Sequence, residues 1–214
     1  MQTRLQLLSR NYGLGLLAFV HFFGIWVISY GDRDFFAGFT PLNLILAALL
    51  FFGASSKQEL PKLGIYALLC IGIGYGVEVL GTQTGIPFGN YAYLHNLGPK
   101  LIAVPLLIGV NWFLLAYSSA LWAKLWSSSN LVRILIGAAL MVGLDFFIEP
   151  LCAELGFWQW EGNKIPPQNY LAWFGVAMLM QALFIRLKLQ ADQALARWYL
   201  VLIALFFMML NILI

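Results

Sequence analysis

Three carboxylates stand out by where they fall. Glu78, Asp145 and Glu149 lie within long apolar runs, where an ionisable side chain is costly to keep and by default marks function. Asp145 and Glu149 are four residues apart, so on a helix they share a face, about 6 Å apart along its axis. No Lys or Arg in these runs is placed to neutralise them. A carboxyl group kept from water without a cation favours its neutral form, which makes it a candidate general acid. The plainer role is hydrogen-bonded glue between helices. Pro150 follows Glu149 and predicts a kink that frees a carbonyl near Phe146. His21 sits mid-run, where it can pair with a carboxylate, shuttle a proton or simply pack. Asn111 and Gln181 are mid-run amides, suited to lining a pocket or bridging helices.

Other chemistries find little support. Two histidines (His21, His95) and two cysteines (Cys70, Cys152), without H-x-x-H or C-x-x-C spacing, predict no metal site. The glycines of Ile71–Gly76 lack a preceding strand and the GxGxxG spacing of a nucleotide loop. Gly72 and Gly76 read instead as a small-residue packing face.

The elements that must position the carboxylates follow from composition. Of 214 residues, 62% are hydrophobic and 10% charged, against about 45–50% and about 25% in a soluble domain. With a mean hydropathy of +0.84, this describes neither a disordered chain nor a disulfide scaffold. The fold class expected is all-α: a single polytopic membrane domain of about seven helices, since each span takes about 20 residues. The runs are Tyr12–Tyr30, Pro41–Gly53 (lengthened at an angle by Phe35–Phe39), Leu63–Leu80, Leu101–Ala123, Leu131–Phe157, Tyr170–Leu187 and Trp198–Ile214. The fifth run would also hold Glu154. The first run follows Arg4 and Arg10 but lacks a small-residue cleavage pattern, so it reads as an uncleaved span.

Charge sets the expected orientation. Arg4, Arg10, Lys57, Lys62, Lys124, Arg133, Arg186, Lys188 and Arg197 fall on one side of this seven-span layout, and only Arg33, Lys100 and Lys164 on the other. The bias predicts a cytoplasmic N-terminus, most simply in the cell membrane. A net charge of +3 spread this way implies no nucleic-acid partner.

Two connections on the outer side are long and mix aromatics with Gly, Pro, Asn and Gln: Gly81–Tyr93 and Gly156–Tyr170. Such loops tend to carry function. Phe157, Trp158 and Trp160 suit an interfacial belt, or equally a site that handles a cation.

These residues form a recognisable set. The loop reads Gly81-Thr-x-Thr-Gly-x-Pro-Phe-Gly-x-Tyr-x-Tyr93. With it come Glu78, Pro105, Asn111-Trp112, Asp145-x-x-x-Glu149-Pro150, Trp158-x-Trp160 and Pro167-x-Asn169-Tyr170-x-x-Trp173. Together they resemble the membrane-bound carotenoid hydratase family, the "carotenoid biosynthesis protein" of bisanhydrobacterioruberin and γ-carotene 1′,2′-hydratase type, thought to be distantly related to the integral-membrane lycopene cyclases. The likeness runs from Glu78 to Trp173 and is most specific in the loop.

The resemblance implies addition of water across the terminal C1′=C2′ bond of an acyclic carotenoid ψ-end lying in the bilayer. It needs no cofactor, and other carotenoid-pathway enzymes are conceivable partners. Such a reaction starts by protonating C2′, which leaves a tertiary cation at C1′. On this reading Asp145 or Glu149 is the proton donor and Glu78 orients water. Tyr91, Tyr93, Asn111, Trp112, Trp158, Trp160, Asn169 and Tyr170 bind the substrate.

Two other readings remain open and a third is decided against. A ψ-end cyclase shares the first protonation but excludes water. A proton-coupled transporter of a small solute would use the carboxylates as a relay, although the chain is short and shows no duplicated halves. A retinal photoreceptor needs a buried lysine in its seventh helix, and Trp198–Ile214 has none.

Overall fold

The computed structural model describes residues 4–189 and 193–214. Helices α1 (Arg4–Tyr30), α2 (Arg33–Ala37), α3 (Thr40–Ala54) and α4 (Leu60–Thr84) are followed by strand β1 (Tyr91–Tyr93) and a small hairpin of β2 (Lys100–Leu101) and β3 (Val104–Pro105). Then come α5 (Ile108–Trp126), α6 (Asn130–Ile148), strand β4 (Trp158–Trp160), α7 (Pro167–Arg186) and α8 (Ala194–Leu213). Proline marks several helix starts. Pro41, Pro61 and Pro167 occupy the first turns of α3, α4 and α7, where the missing N–H loses no helical bond.

Six segments are long and apolar enough to cross a membrane: Tyr12–Tyr30, Arg33–Ala54, Leu60–Thr84, Asn130–Leu151, Pro167–Arg186 and Ala194–Leu213. All seven expected runs form helices, and the protein is an all-α polytopic membrane protein. The remaining helix, α5, is less apolar, with Asn111, Tyr117, Ser118, Ser119 and Lys124 along its 19 residues. Its position explains the composition: α5 packs against α3, α4, α6, α7 and α8 and is buried along most of its length. A helix surrounded by protein can carry polar groups, because neighbouring helices supply partners. Gln181 of α7 does so, donating to Ala116 O at 3.1 Å and Ser119 Oγ at 2.9 Å. The outward surface is the reverse. Phe19, Phe22, Trp26, Leu49, Leu68 and Ile212 are exposed, as lipid-facing side chains should be.

The structure corrects three local expectations. The fourth run does not begin its helix at Leu101. Ile102 and Ala103 have φ of +51° and +62° and form the two-residue turn of the β2–β3 hairpin, so α5 starts only at Ile108. Nor does the fifth helix reach Phe157. Pro150 cannot donate to the Phe146 carbonyl, so α6 ends at Ile148 and passes through one 3-10 turn, Glu149–Leu151. Glu154 therefore lies outside the helix, exposed and paired with Arg33. Lastly, the packing glycine of α4 is Gly74, where a Cβ would meet Trp112 at 2.6 Å; Gly72 and Gly76 face open space.

The two long connections are not separate loops. Tyr91–Tyr93 pairs antiparallel with Trp158–Trp160, placing Tyr91 opposite Trp160 and Tyr93 opposite Trp158. Bonds from Leu94 N to Phe157 O (2.8 Å), Asn96 N to Gly156 O (2.9 Å) and Glu161 N to Asn90 O (3.0 Å) extend this ribbon at both ends. Asn96 also ties it to α2, donating through Nδ2 to Asp34 Oδ1 at 2.8 Å and to Leu155 O at 2.9 Å.

Candidate active site

The ribbon explains the Tyr-x-Tyr and Trp-x-Trp spacings. Side chains alternate across a strand, so Tyr91, Tyr93, Trp158 and Trp160 all project to one face, while Ala92 and Gln159 point to solvent. The four aromatics roof the carboxylates presented by α4 and α6. Tyr91 and Trp160 lie with ring centroids 5.0 Å apart, and Tyr93 and Trp158 6.1 Å apart.

Glu78, near the end of α4, accepts from three neutral donors. The Tyr91 and Tyr93 hydroxyls both reach Oε2, the latter at 2.7 Å, and Trp112 Nε1 reaches Oε1 at 3.0 Å. Burial first, and then the Glu78 carboxylate, pushes both phenols well above the usual tyrosine range, so they remain O–H donors. Glu149, in the turn that Pro150 creates, also takes three bonds. Trp160 Nε1 donates at 2.6 Å and Trp158 Nε1 at 3.2 Å to Oε2, and Asn169 Nδ2 donates at 2.8 Å to Oε1. The same Asn169 amide lies 3.3 Å from Asp145 Oδ2, which links the i, i+4 pair on α6 through α7. All three carboxylates are buried. No cation pairs with them among the described residues; the ion pairs Arg33–Glu154 and His95–Asp34 join α2 to the two surface connections.

Asp145 differs from the other two. Its Oδ1 has no hydrogen-bond partner, and the residue forms part of the wall of a cavity of about 410 Å³. That volume lies in the range of about 300–1,000 Å³ usual for small-molecule pockets. The walls come mainly from α1, α3 and α8 and are overwhelmingly apolar, with Phe157, Trp158 and Trp173 among them. His21 and Asn111 line it too. His21 Nδ1 bonds to Leu17 O at 2.7 Å, and its ring is held edge-on by Tyr199 and Phe206.

A second, much smaller cavity of about 10 Å³ lies between Glu78 and Glu149, bounded also by Tyr91, Tyr93, Trp160 and Asn169. This is about the space needed for one water molecule. Ile108, Trp158 and Trp173 line both cavities and thus form the partition between them.

Most of the residues expected to bind substrate converge here. Tyr91, Tyr93, Trp160 and Asn169 line the small pocket, Asn111 the large one and Trp158 both. Trp112 lines neither; it holds Glu78 and stacks on Trp173 at 3.8 Å. Tyr170 lines neither cavity; its ring lies 6.0 Å from Phe146, within electrostatic reach of Glu149 and Asp145. Trp173 and Ile108 were not among the expected site residues. Trp173 follows Asn169 by four residues, a same-face spacing on α7 that points to it, whereas an apolar Ile108 gives no such signal.

No solved structure matches the chain. A curated relative, the bisanhydrobacterioruberin hydratase of Haloarcula japonica, is 33% identical over 117 residues. That match covers 50% of this chain and 40% of the relative, so the chain spans less than half the length of the curated protein it resembles. The family model described as carotenoid biosynthesis protein matches residues 39–214, a stretch that includes Glu78, Asp145, Glu149 and the four aromatics of the ribbon, and the chain belongs to that family.

Proposed function

We propose that the protein hydrates the terminal C1′=C2′ bond of an acyclic carotenoid ψ-end, with Asp145 as the proton donor. The observation that supports this best is the pair of unlike chambers on either side of Ile108, Trp158 and Trp173. The apolar chamber, bounded in part by Asp145, suits a hydrocarbon end. The smaller chamber, flanked by Glu78 and Glu149, has about the volume of one water. The name of the Haloarcula relative, a hydratase, points the same way.

In this reading the Asp145 O–H bond breaks and its proton joins C2′, using the π electrons of the double bond. The charge left at C1′ lies against the Trp158 and Trp173 faces, which attract a cation. Water oxygen then bonds to C1′ and its proton passes to Glu149. Transfer from Glu149 to Asp145, which share the Asn169 amide, restores the starting state. Glu78, fixed by three donors, orients the water. The balance is alkene plus water giving a tertiary alcohol, with no change in electron count. A carotenoid is roughly as long as a bilayer is thick, about 30 Å, so the rest of the chain lies among lipid while one end occupies the cavity.

A ψ-end cyclase would use the same first step but must keep water from the cation, and a water-sized pocket bordered by two carboxylates, one side chain away, favours hydration. Co-expression with enzymes that make lycopene or γ-carotene tests the choice. Tertiary alcohols at the ψ-end are expected; unchanged pigment or a new ring would overturn the reading.

A further inference from the structure

The large cavity is not closed on every side. All but three of the described residues that line it are buried or half-buried. The three are Phe23, Phe39 and Leu42, which are 45%, 48% and 62% exposed. Phe23 belongs to α1, Phe39 is the N-cap of α3 and Leu42 lies in its first turn, so the opening lies between these two helices. Both belong to segments long and apolar enough to cross a membrane. Phe23 stands seven residues inside the Tyr30 end of its segment, about 10 Å along the axis, so the opening faces hydrocarbon rather than water. The gap is local. Farther along the pair the two helices close up, and a Cβ on Gly13 would lie 3.3 Å from Leu50. On the lipid-facing side of α1 the opening continues into a row of exposed aromatic rings. Phe19 stacks on Phe23 with centroids 5.9 Å apart and planes 10° from parallel, and Trp26 lies 5.9 Å from Phe23 one turn further on.

We infer that the ψ-end enters this cavity sideways from the bilayer, between α1 and α3, and that the polyene behind it lies in the opening against Phe23. The inference rests on the carotenoid reading above and adds the route. A chain about as long as the bilayer is thick must leave the cavity somewhere, and Phe23, Phe39 and Leu42 are where the lining meets the outside. The route asks for no polar desolvation, since the polyene is apolar throughout and passes from hydrocarbon to Phe and Leu. Passage over the ribbon side would instead cross the exposed Asp34–His95 pair and its neighbour Asn96. The flat rings of Phe19 and Phe23 give a flat conjugated chain a broad contact, and such contacts are weak singly and large in sum. Asp145 bounds the same cavity, so an end that enters here reaches the proton donor without lifting the roof.

The test separates binding from turnover. The detergent-purified full chain is incubated with lycopene, free pigment is removed, and visible absorbance gives the pigment retained per chain. Leu42→Trp fills the opening and should lower retention about tenfold, the equivalent of about 1.4 kcal/mol. Leu49→Trp, on an exposed position of the same helix outside the cavity, should retain as much as the unsubstituted protein. Leu42 is largely exposed, so a larger ring there does not repack the core. Phe23→Ala, which widens the opening, should speed uptake and keeps the question decidable if Leu42→Trp does not accumulate. Unaltered retention by a folded Leu42→Trp protein, equal losses in the two tryptophan variants, or unaltered uptake by Phe23→Ala would overturn the inference. The outcomes also separate it from the activity proposed above. No pigment retained by the unsubstituted protein would overturn the carotenoid reading and the route together. Retention that depends on Leu42, with no alcohol formed, would support the route and overturn the hydration alone.

Discussion

The two chambers of this site differ in everything except the wall they share. The large one is apolar, and Asp145, one of the residues that bound it, keeps a carboxylate oxygen without a hydrogen-bond partner. The small one holds two carboxylates that each accept three hydrogen bonds. The difference separates two tasks. A group that gives up a proton to a weakly basic alkene must not have its charged form over-stabilised beforehand. A group that orients water or receives its proton gains from donors that hold it still. The same residue type serves both because its surroundings differ, which is how paired carboxylates commonly divide acid and base roles.

Replacing Asp145 by Asn strikes this division hardest. It keeps the shape and removes the proton, so turnover should fall by about 10²–10⁴-fold while the protein still accumulates in the membrane. Pigment analysis and immunoblotting check both halves. Next in size is Glu149→Gln. If the chambers act in sequence, protonation survives and capture by water fails, so alcohol should drop by about 10²-fold while isomerised or cyclised by-products rise. A variant that loses all conversion equally would mean that Glu149, not Asp145, is the donor.

A smaller effect separates the scaffold from the chemistry. A Cβ on Gly74 would lie 2.6 Å from Trp112, whose indole N–H holds Glu78. Gly74→Ala should lower stability by about 1–3 kcal/mol as the overpacked ring shifts and should reduce activity without touching a carboxylate. Gly72→Ala, which meets nothing within 4 Å, should do neither; thermal unfolding in detergent beside a product assay distinguishes the two. Smallest is Gln159→Ala, on the outward face of the β1–β4 ribbon. It should leave stability within about 0.5 kcal/mol and activity unchanged, whereas its neighbours Trp158 and Trp160 should not tolerate alanine.

The sequence made the carboxylates legible because charge in an apolar run is conspicuous and because 145 and 149 share a helical face. Seven helices were legible for the same reason: apolar length is a strong signal. The ribbon was not. Tyr91–Tyr93 and Trp158–Trp160 are three-residue strands whose pairing spans more than sixty residues, too short and too distant for local periodicity to register. Read as an interfacial belt or as a lining that handles a cation, the tryptophans give no hint that their indole N–H groups both reach Glu149. The early end of α6 was half legible. Pro150 announced a break, but whether a helix kinks onward or stops depends on the residues beyond the proline. Here the chain turns at Gly156, with φ of +68°, into the ribbon. Ile108 was invisible, since an isoleucine that divides two chambers looks like any other core residue.

The most direct test of the two-chamber account is isotopic. Purified protein is given an acyclic ψ-end carotenoid in water labelled with heavy oxygen and deuterium, and the product is read by mass spectrometry. The account predicts heavy oxygen at C1′ and deuterium at C2′ in the same molecule, with neither label incorporated by Asp145→Asn. Oxygen drawn from O₂, or full double labelling by the Asp145→Asn protein, would contradict it.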